Sequence, residues 1–427
     1  MSIVNRAIFW FRNNLRIHDN PAFAKALEES DEVIPLYLFE DREWNTTNPR
    51  RINHFRGRFI LQSLQCLQES IESMGGNLIL RRGKAEEIIP AIAQEYGANT
   101  CYLENGFAYE ETSSEQRLSE LIHTKAYEGA TLLHLDDLPF ELADSPKVFT
   151  KFRKKVEENL AIRSCCQLPR KFNFLKPKKP EIPPLSHFFE ETESITHTDI
   201  YRFLGGEKAA DQRLQEWIWN KKGISTYKET RNHLFGSDFS SRFSPWLAQG
   251  CLSPRRIYEE IKAFERKHGS NQSTYWLFFE LLWRDFFYFI ARKWGPGLFQ
   301  RYGTNQDKPN SPKLSDEAES FEKWKLGRTN DDFVNANMNE LRHTGWMSNR
   351  GRQNVASYLI HDLGVDWRKG AQWFEENLID YDPCSNYGNW LYLSGFGNDP
   401  RPDRKFNTQK QAEFYDPDGR YRKFWNQ

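Results

Sequence analysis

The sequence predicts an α/β domain built on a parallel sheet, followed by an all-α domain. Three observations carry this reading. Short apolar runs alternate with helix-length segments as far as Leu135, a proline- and lysine-rich stretch comes next, and beyond Tyr201 helical periodicity continues with almost no strand signal.

Ala7-Ile-Phe-Trp-Phe11, Val33-Ile-Pro-Leu-Tyr-Leu-Phe39, Leu78-Ile-Leu80, Thr100-Cys-Tyr-Leu103 and Thr131-Leu-Leu-His-Leu135 read as buried strands. Each is parted from the next by enough chain for a helix, so an open, mostly parallel sheet is expected. Asn20 is placed to cap the first crossover helix, with Pro21 in its first position. Arg12-Asn-Asn-Leu-Arg16 follows the first strand where a dinucleotide fingerprint would need glycines, which argues against a dinucleotide site of the usual kind in this domain. Residues 148–156 read as a basic helix. The stretch 167–197, with five prolines, several lysines and no sustained period, reads as an interdomain linker whose charges are solvated. Helices are expected over 209–220, 253–267, 274–293, 332–344, 349–362 and 367–378, with no repeat of fixed period. The expected division is an α/β domain at 1–140, a linker at 141–200 and a helical domain at 201–427.

Composition removes several function classes. Lys plus Arg and Asp plus Glu both number 59, so global charge favours neither a polyanion nor a membrane, and a nucleic-acid surface has to be local. There is no apolar run of bilayer length and no signal-peptide order at Met1-Ser-Ile-Val-Asn-Arg. Cys66, Cys101, Cys165, Cys166, Cys251 and Cys384 show no metal spacing, which suits a reducing compartment; a soluble, cytoplasmic protein without a metal site is expected. No His-Glu-x-x-His, Gly-x-Ser-x-Gly or P-loop is present, so hydrolase and metalloenzyme readings fall away. Of fourteen tryptophans only Trp10 and Trp44 precede Trp217, which means either a large aromatic helical core or rings used for stacking or electron transfer.

Three constellations carry chemistry. In Ile379-Asp-Tyr-Asp-Pro-Cys-Ser-Asn-Tyr-Gly-Asn-Trp390, Asp380, Asp382 and Asn386 suit a polar ligand wall better than a strand or helix core. Upstream, Asn349, Arg352 and Gln353 share one helical face, from which a cation can meet Asp380 or Asp382. Glu280, Trp283, Arg284 and Phe287 fall on one helical stripe, either as an ion pair beside core aromatics or as a surface for a flat ring with polar edges. Tyr227 with Phe239-Ser-Ser-Arg-Phe-Ser-Pro-Trp offers hydroxyls, an arginine and free amides, as a phosphate needs and as a capped helix start also shows.

Trp10-Phe-Arg-Asn-Asn-Leu-Arg-Ile-His-Asp-Asn20, Ser-Ser-Arg-Phe-Ser-Pro, Glu-Leu-Leu-Trp-Arg, Thr-Gly-Trp-Met-Ser-Asn-Arg and the Asp-x-Asp-x-x-x-Asn run together resemble the photolyase and cryptochrome flavoproteins over nearly the whole chain. Leu-Pro-Phe-Glu, Phe-Thr-Lys-Phe-Arg-Lys and Ser-Asn-Arg-Gly-Arg-Gln-Asn look most like the DASH cryptochromes. The resemblance implies a Rossmann-like sheet domain followed by an all-α FAD-binding domain. In it Tyr227, Ser240, Ser241, Phe243 and Ser244 hold the phosphate region with Arg284 nearby. Asn349, Arg352, Asp380, Asp382 and Asn386 surround the ring and ribityl parts, and Trp390, Trp367 and Trp324 pass electrons from the surface.

The implied activity is light-driven repair of cyclobutane pyrimidine dimers, preferentially in single-stranded DNA. Glu280 and Asn349 would hydrogen-bond the dimer, Trp283 and Tyr392 would stack on it, and Gln353 and Tyr392 would make the pocket more polar than in ordinary dimer photolyases. Arg350, Arg401 and Arg404 are the implied phosphate contacts, and Glu110 or Glu111 the contact to an antenna, methenyltetrahydrofolate. A monomer that meets DNA and no membrane is expected. The rival function is a blue-light receptor without repair; the chain's end at Gln427 without a signalling tail favours the enzyme, and a dark flavin oxidoreductase finds no nicotinamide site.

Overall fold

The computed structural model describes residues 4–47, 49–190, 203–303, 317–398 and 405–427. Strands β1 (Arg6–Phe11), β2 (Glu32–Glu40), β3 (Ile79–Gly83), β4 (Thr100–Glu104) and β5 (His123–Tyr127) form one parallel sheet in the order β3-β2-β1-β4-β5. Ile8 in β1 sits opposite both Ile34 of β2 and Cys101 of β4, so β1 is the centre and the strand order reverses beside it. Crossovers run through α1 (Pro21–Glu29), α2 (His54–Ser73), α3 (Ala85–Tyr96) and α4 (Tyr109–Ser119). The Asn20 cap forms as expected, its side chain accepting from the Phe23 N–H at 3.2 Å.

The fifth strand is not where its apolar run predicts. Residues 131–133 are buried coil at the junction with the helices, where the Leu132 and Leu133 N–H groups donate to the Asp285 carboxylate at 3.1 and 2.7 Å. An apolar run reports burial, and burial here comes from the helical layer. The actual β5, His-Thr-Lys-Ala-Tyr, is a partly exposed edge strand and so lacks that signature. The linker begins with α5 (Phe149–Glu158) and is more than a solvated connector. At Phe174 it bridges β2, with Val33 N–H to Asn173 O at 3.0 Å and Leu175 N–H to Val33 O at 3.1 Å. Part of the predicted linker, 191–200, lies outside the described residues.

The rest is helical: α6 (Glu207–Gln215), α7 (Tyr227–Thr230), α8 (Ser244–Ala248), α9 (Pro254–His268), α10 (Gln272–Trp294), α11 (Glu317–Lys325), α12 (Asp332–Thr344), α13 (Asn349–Ser357), α14 (Trp367–Asn377), α15 (Pro383–Ser394), α16 (Thr408–Tyr415) and α17 (Arg420–Trp425). The six predicted helices are present. The stretch expected to be a poor helix core is α15, started by Asp382, which accepts from the Ser385 N–H at 2.8 Å, and by Pro383 in the first position. Gly388 lets α15 close on α10, since a Cβ there would stand 2.4 Å from the Phe287 ring. None of the described helices is long and apolar enough to cross a membrane.

The sheet domain and the helices share buried polar contacts. Arg255 of α9 pairs with Asp19 at 2.7 Å, and Arg16 donates to Gly250 O at 2.9 Å. Gly250 has φ +64°, and a Cβ there would overlap Asn13 O at 1.9 Å, so the loop after β1 meets the helical layer only over glycine.

Glu340 of α12 is fully buried, accepts from the Tyr421 hydroxyl at 2.7 Å, and has its carboxyl pushed up to about 8 by burial. Between about 4.5 and about 8 the folded state therefore holds a proton that the unfolded chain releases. This group's contribution to stability falls as pH rises through that window, by at most ~1.4 kcal/mol per pH unit. Glu340→Gln keeps the neutral form, so denaturation from pH 5 to 8 should show the wild type losing stability relative to the variant as pH rises.

Candidate active site

A cavity of about 260 Å³ opens inside the helical layer. One wall is Tyr227 with Ser240, Ser241, Phe243 and Ser244; the opposite wall is Asn349, Arg352 and Gln353 of α13 with Asp380, Asp382 and Asn386. Glu280 of α10 and Trp390 of α15 also border it. The serine and aspartate constellations thus converge on one volume, although well over a hundred residues part them in sequence.

The cation expected on α13 is Arg352. Its guanidinium meets both oxygens of Asp380 at 3.0 and 2.8 Å and donates through Nε to Met347 O at 2.9 Å. Asp380's side chain is only 2% exposed, so the pair presents a fixed, charged edge to the cavity. Asp382 spends its carboxylate on the α15 cap, and burial pushes it above the usual range, with Arg284 opposing. The Asn386 Nδ2 donates to Ala371 O at 3.0 Å; because a carbonyl only accepts, the amide oxygen is the atom left for the cavity.

Glu280 carries the second chemistry. It is ion-paired with Arg231, which also lies 5.6 Å from the Trp276 ring centroid. Burial pushes the Glu280 carboxyl up while Arg231 opposes.

Several predicted residues stand elsewhere. Arg284 lies one turn beyond Glu280, about 6 Å along the helix axis, and faces the domain junction. There it donates to Ala130 O at 2.6 Å and to the Tyr288 hydroxyl at 2.8 Å. It borders a separate cleft of about 40 Å³ and shares Asp382 with the main cavity. Trp283 does not line the cavity: it stacks on Phe149 of α5, centroids 3.6 Å apart and planes 13° apart, and meets Tyr392 edge-on at 5.7 Å. One indole face is therefore taken by the linker helix, which no pattern within α10 could reveal. Trp390, Trp367 and Trp324 are 2%, 2% and 0% exposed, so none is a surface terminus. Trp324 touches Trp390 at 6.4 Å and donates to Val355 O at 3.0 Å.

Glu110 reaches a third cleft of about 70 Å³, where Arg51 holds it at 2.9 and 3.2 Å. Glu111 borders it too, but its carboxylate accepts from the Phe107 and Ala108 N–H groups at 3.0 and 3.1 Å. The expected phosphate contact Arg350 is instead turned to Gln353 at 2.9 Å, and Arg401 and Arg404 lie outside the described residues.

Sequence reasoning missed Arg213, which pins the serine segment by donating to Ser240 O at 3.0 Å, Ser241 O at 3.0 Å and Ser237 O at 3.1 Å. It acts on a partner segment distant in sequence and leaves no periodic signal. Arg242, the arginine expected in the serine segment, does line the cavity; at φ +54° its guanidinium lies 4.2 Å from the Trp346 ring centroid.

A sheet domain joined to a helical body that encloses a cavity with an Arg–Asp edge and a serine-lined end is a setting for a nucleotide-type cofactor. Family comparison agrees: a DNA photolyase model matches residues 7–173, and a model of the FAD binding domain of DNA photolyase matches residues 276–426. The chain belongs to the photolyase and cryptochrome family, and its helical part carries the FAD-binding domain. Within the family it is similar to cryptochrome DASH of Synechocystis sp., at 45% identity over 98% of this chain and 86% of that protein. It is 44% identical to the chloroplastic/mitochondrial cryptochrome DASH of Arabidopsis thaliana over 98% of this chain and 75% of that one. The solved Synechocystis sp. cryptochrome superposes with a TM-score of 0.92 at 44% identity, covering 100% of this chain and 89% of that one. A bacterial class III photolyase from Agrobacterium tumefaciens gives 0.86 at 28% identity, covering 100% and 87%.

Proposed function

We propose that the protein repairs cyclobutane pyrimidine dimers under blue light, preferentially in single-stranded DNA. The observation that carries this is the shared cavity: Glu280, a half-buried carboxyl that can donate to a carbonyl oxygen when protonated, borders the same volume as the Arg352–Asp380 edge. Reduced FAD, when bound, supplies the photoexcitable electron donor. The residues present fit it. Tyr227, Ser240, Ser241 and Ser244 provide hydroxyls for its phosphates, Arg352 and Asp380 a charged edge for its ring, and Asn386 an acceptor oxygen. Glu280 and Asn349 would hold the dimer's carbonyl oxygens, and Gln353 adds a polar contact. Trp283 and Tyr392 border the approach as a supported aromatic pair rather than as cavity wall. A polar cavity recovers less of the cost of extruding a lesion, a few kcal/mol, which favours single strands, where that cost is smallest. Trp390 at the cavity wall, with Trp324 against it, is suited to re-reducing the cofactor.

The test is chromatographic assay of thymine-dimer loss in single-stranded and duplex oligonucleotides with pre-reduced protein under blue light. Loss mainly in single strands supports the reading. No loss from protein that binds and photoreduces FAD would favour a blue-light receptor.

The antenna belongs to the third cleft. Glu110, half-exposed and oriented by Arg51, fits a pterin's N–H donors, whereas Glu111 is committed to the backbone. Glu110→Ala should abolish the near-ultraviolet folate absorbance of the purified protein while the FAD bands persist; equal folate content in the variant would remove Glu110 from that role.

A further inference from the structure

Arg350 and Gln353 lie one turn apart on α13, and Arg350 Nη1 donates to Gln353 Oε1 at 2.9 Å. A guanidinium has only donors, so the amide atom it meets has to be the oxygen. What Gln353 then offers to the cavity it lines is its NH2 group. Arg350 is itself held in place: Nη2 donates to Asn232 Oδ1 at 3.3 Å, and the Tyr415 ring centroid lies 4.8 Å from the guanidinium carbon. An amide without such a partner flips at little cost and presents either atom. This one has a single preferred face.

We propose that Arg350 is a positioning residue that locks the Gln353 amide with its N–H donors toward the cavity, so that this point of the site takes a ligand carbonyl oxygen, as on a pyrimidine ring. The inference rests on the dimer-binding reading and deepens it. It assigns Arg350 a role through Gln353 instead of through a phosphate.

The experiment measures dark binding of a thymine-dimer dinucleotide to the full-length, FAD-loaded protein at two salt concentrations. The wild type, Arg350→Met, Gln353→Met and the double variant are compared. Each single variant should weaken binding roughly fivefold to tenfold. The double variant should be no weaker than Gln353→Met, because both changes remove the same donor. Multiplying effects, or a flatter salt dependence in Arg350→Met, would mean that Arg350 contacts the ligand itself and would overturn the proposal. Gln353→Glu gives a second route that does not disturb Arg350, since a carboxylate keeps its partner but has no N–H; it should bind as weakly as Gln353→Met, and full-strength binding would also overturn the proposal. A wild type that binds no dimer would overturn the repair reading and this inference together, whereas tight wild-type binding unchanged in Arg350→Met overturns only the role of Arg350.

Discussion

Glu280→Ala should lower light-driven dimer loss by roughly tenfold or more, the effect of removing one strong hydrogen bond to the reacting group, while FAD remains bound. The carboxyl borders the cavity but forms no part of the Arg352–Asp380 edge, so cofactor retention separates loss of chemistry from loss of fold. The variant also leaves Arg231 without its partner, and Glu280→Gln controls for this by keeping an N–H donor and the side-chain shape. The Gln variant should keep more repair than the Ala variant. Undiminished repair in Glu280→Ala, measured by chromatography of irradiated oligonucleotides, would sink the assignment of the substrate side.

Asp380→Ala should strip the protein of FAD. The change leaves Arg352, held in place by Met347 O, facing the cavity with no counter-charge; breaking a buried pair from one side costs about 3 kcal/mol or more. The 450 nm absorbance per protein of the purified variant would report the loss, and thermal scans should show an earlier transition. Asp382→Ala acts differently. It removes the cap of α15 at a cost of about 1 kcal/mol, so its FAD content should fall less than that of Asp380→Ala. A variant of Asp380 that purifies with full flavin content would show that the charged edge is not part of the cofactor's grip.

Both predictions begin from pairs visible in the sequence. The i, i+3, i+4 spacing of Asn349, Arg352 and Gln353 put three polar side chains on one helical face, and that face borders the cavity. The choice between Asp380 and Asp382 as partner was not legible from spacing alone. It depends on Asp382 being consumed as a helix cap, which needs α15 to exist, and that helix was obscured by its polar and glycine content. The α10 stripe misled in a related way. Spacing placed Glu280 and Arg284 on one side, but helical rise carries Arg284 past the cavity to the domain junction. Trp283 and Phe149 come from different domains of the pattern, and their stacking follows from how α5 packs on α10.

Local chain chemistry by itself determined the element types and most of their bounds: the Asn20 cap, the buried strands β1, β2 and β4, the long α10 and the α12 helix from Asp332 to Thr344. These depend on contacts within a few residues and on which faces must leave water, both of which periodicity records. Family motifs added the cofactor. Only the tertiary structure decided that Glu280 and Asp380 share one cavity, that Arg350 turns inward to Gln353, that the 131–133 run seals a junction, and that Trp324, Trp367 and Trp390 are all interior. Those outcomes depend on side chains far apart in sequence meeting across packed layers, where direction and depth are set by the neighbouring element rather than by the residue itself.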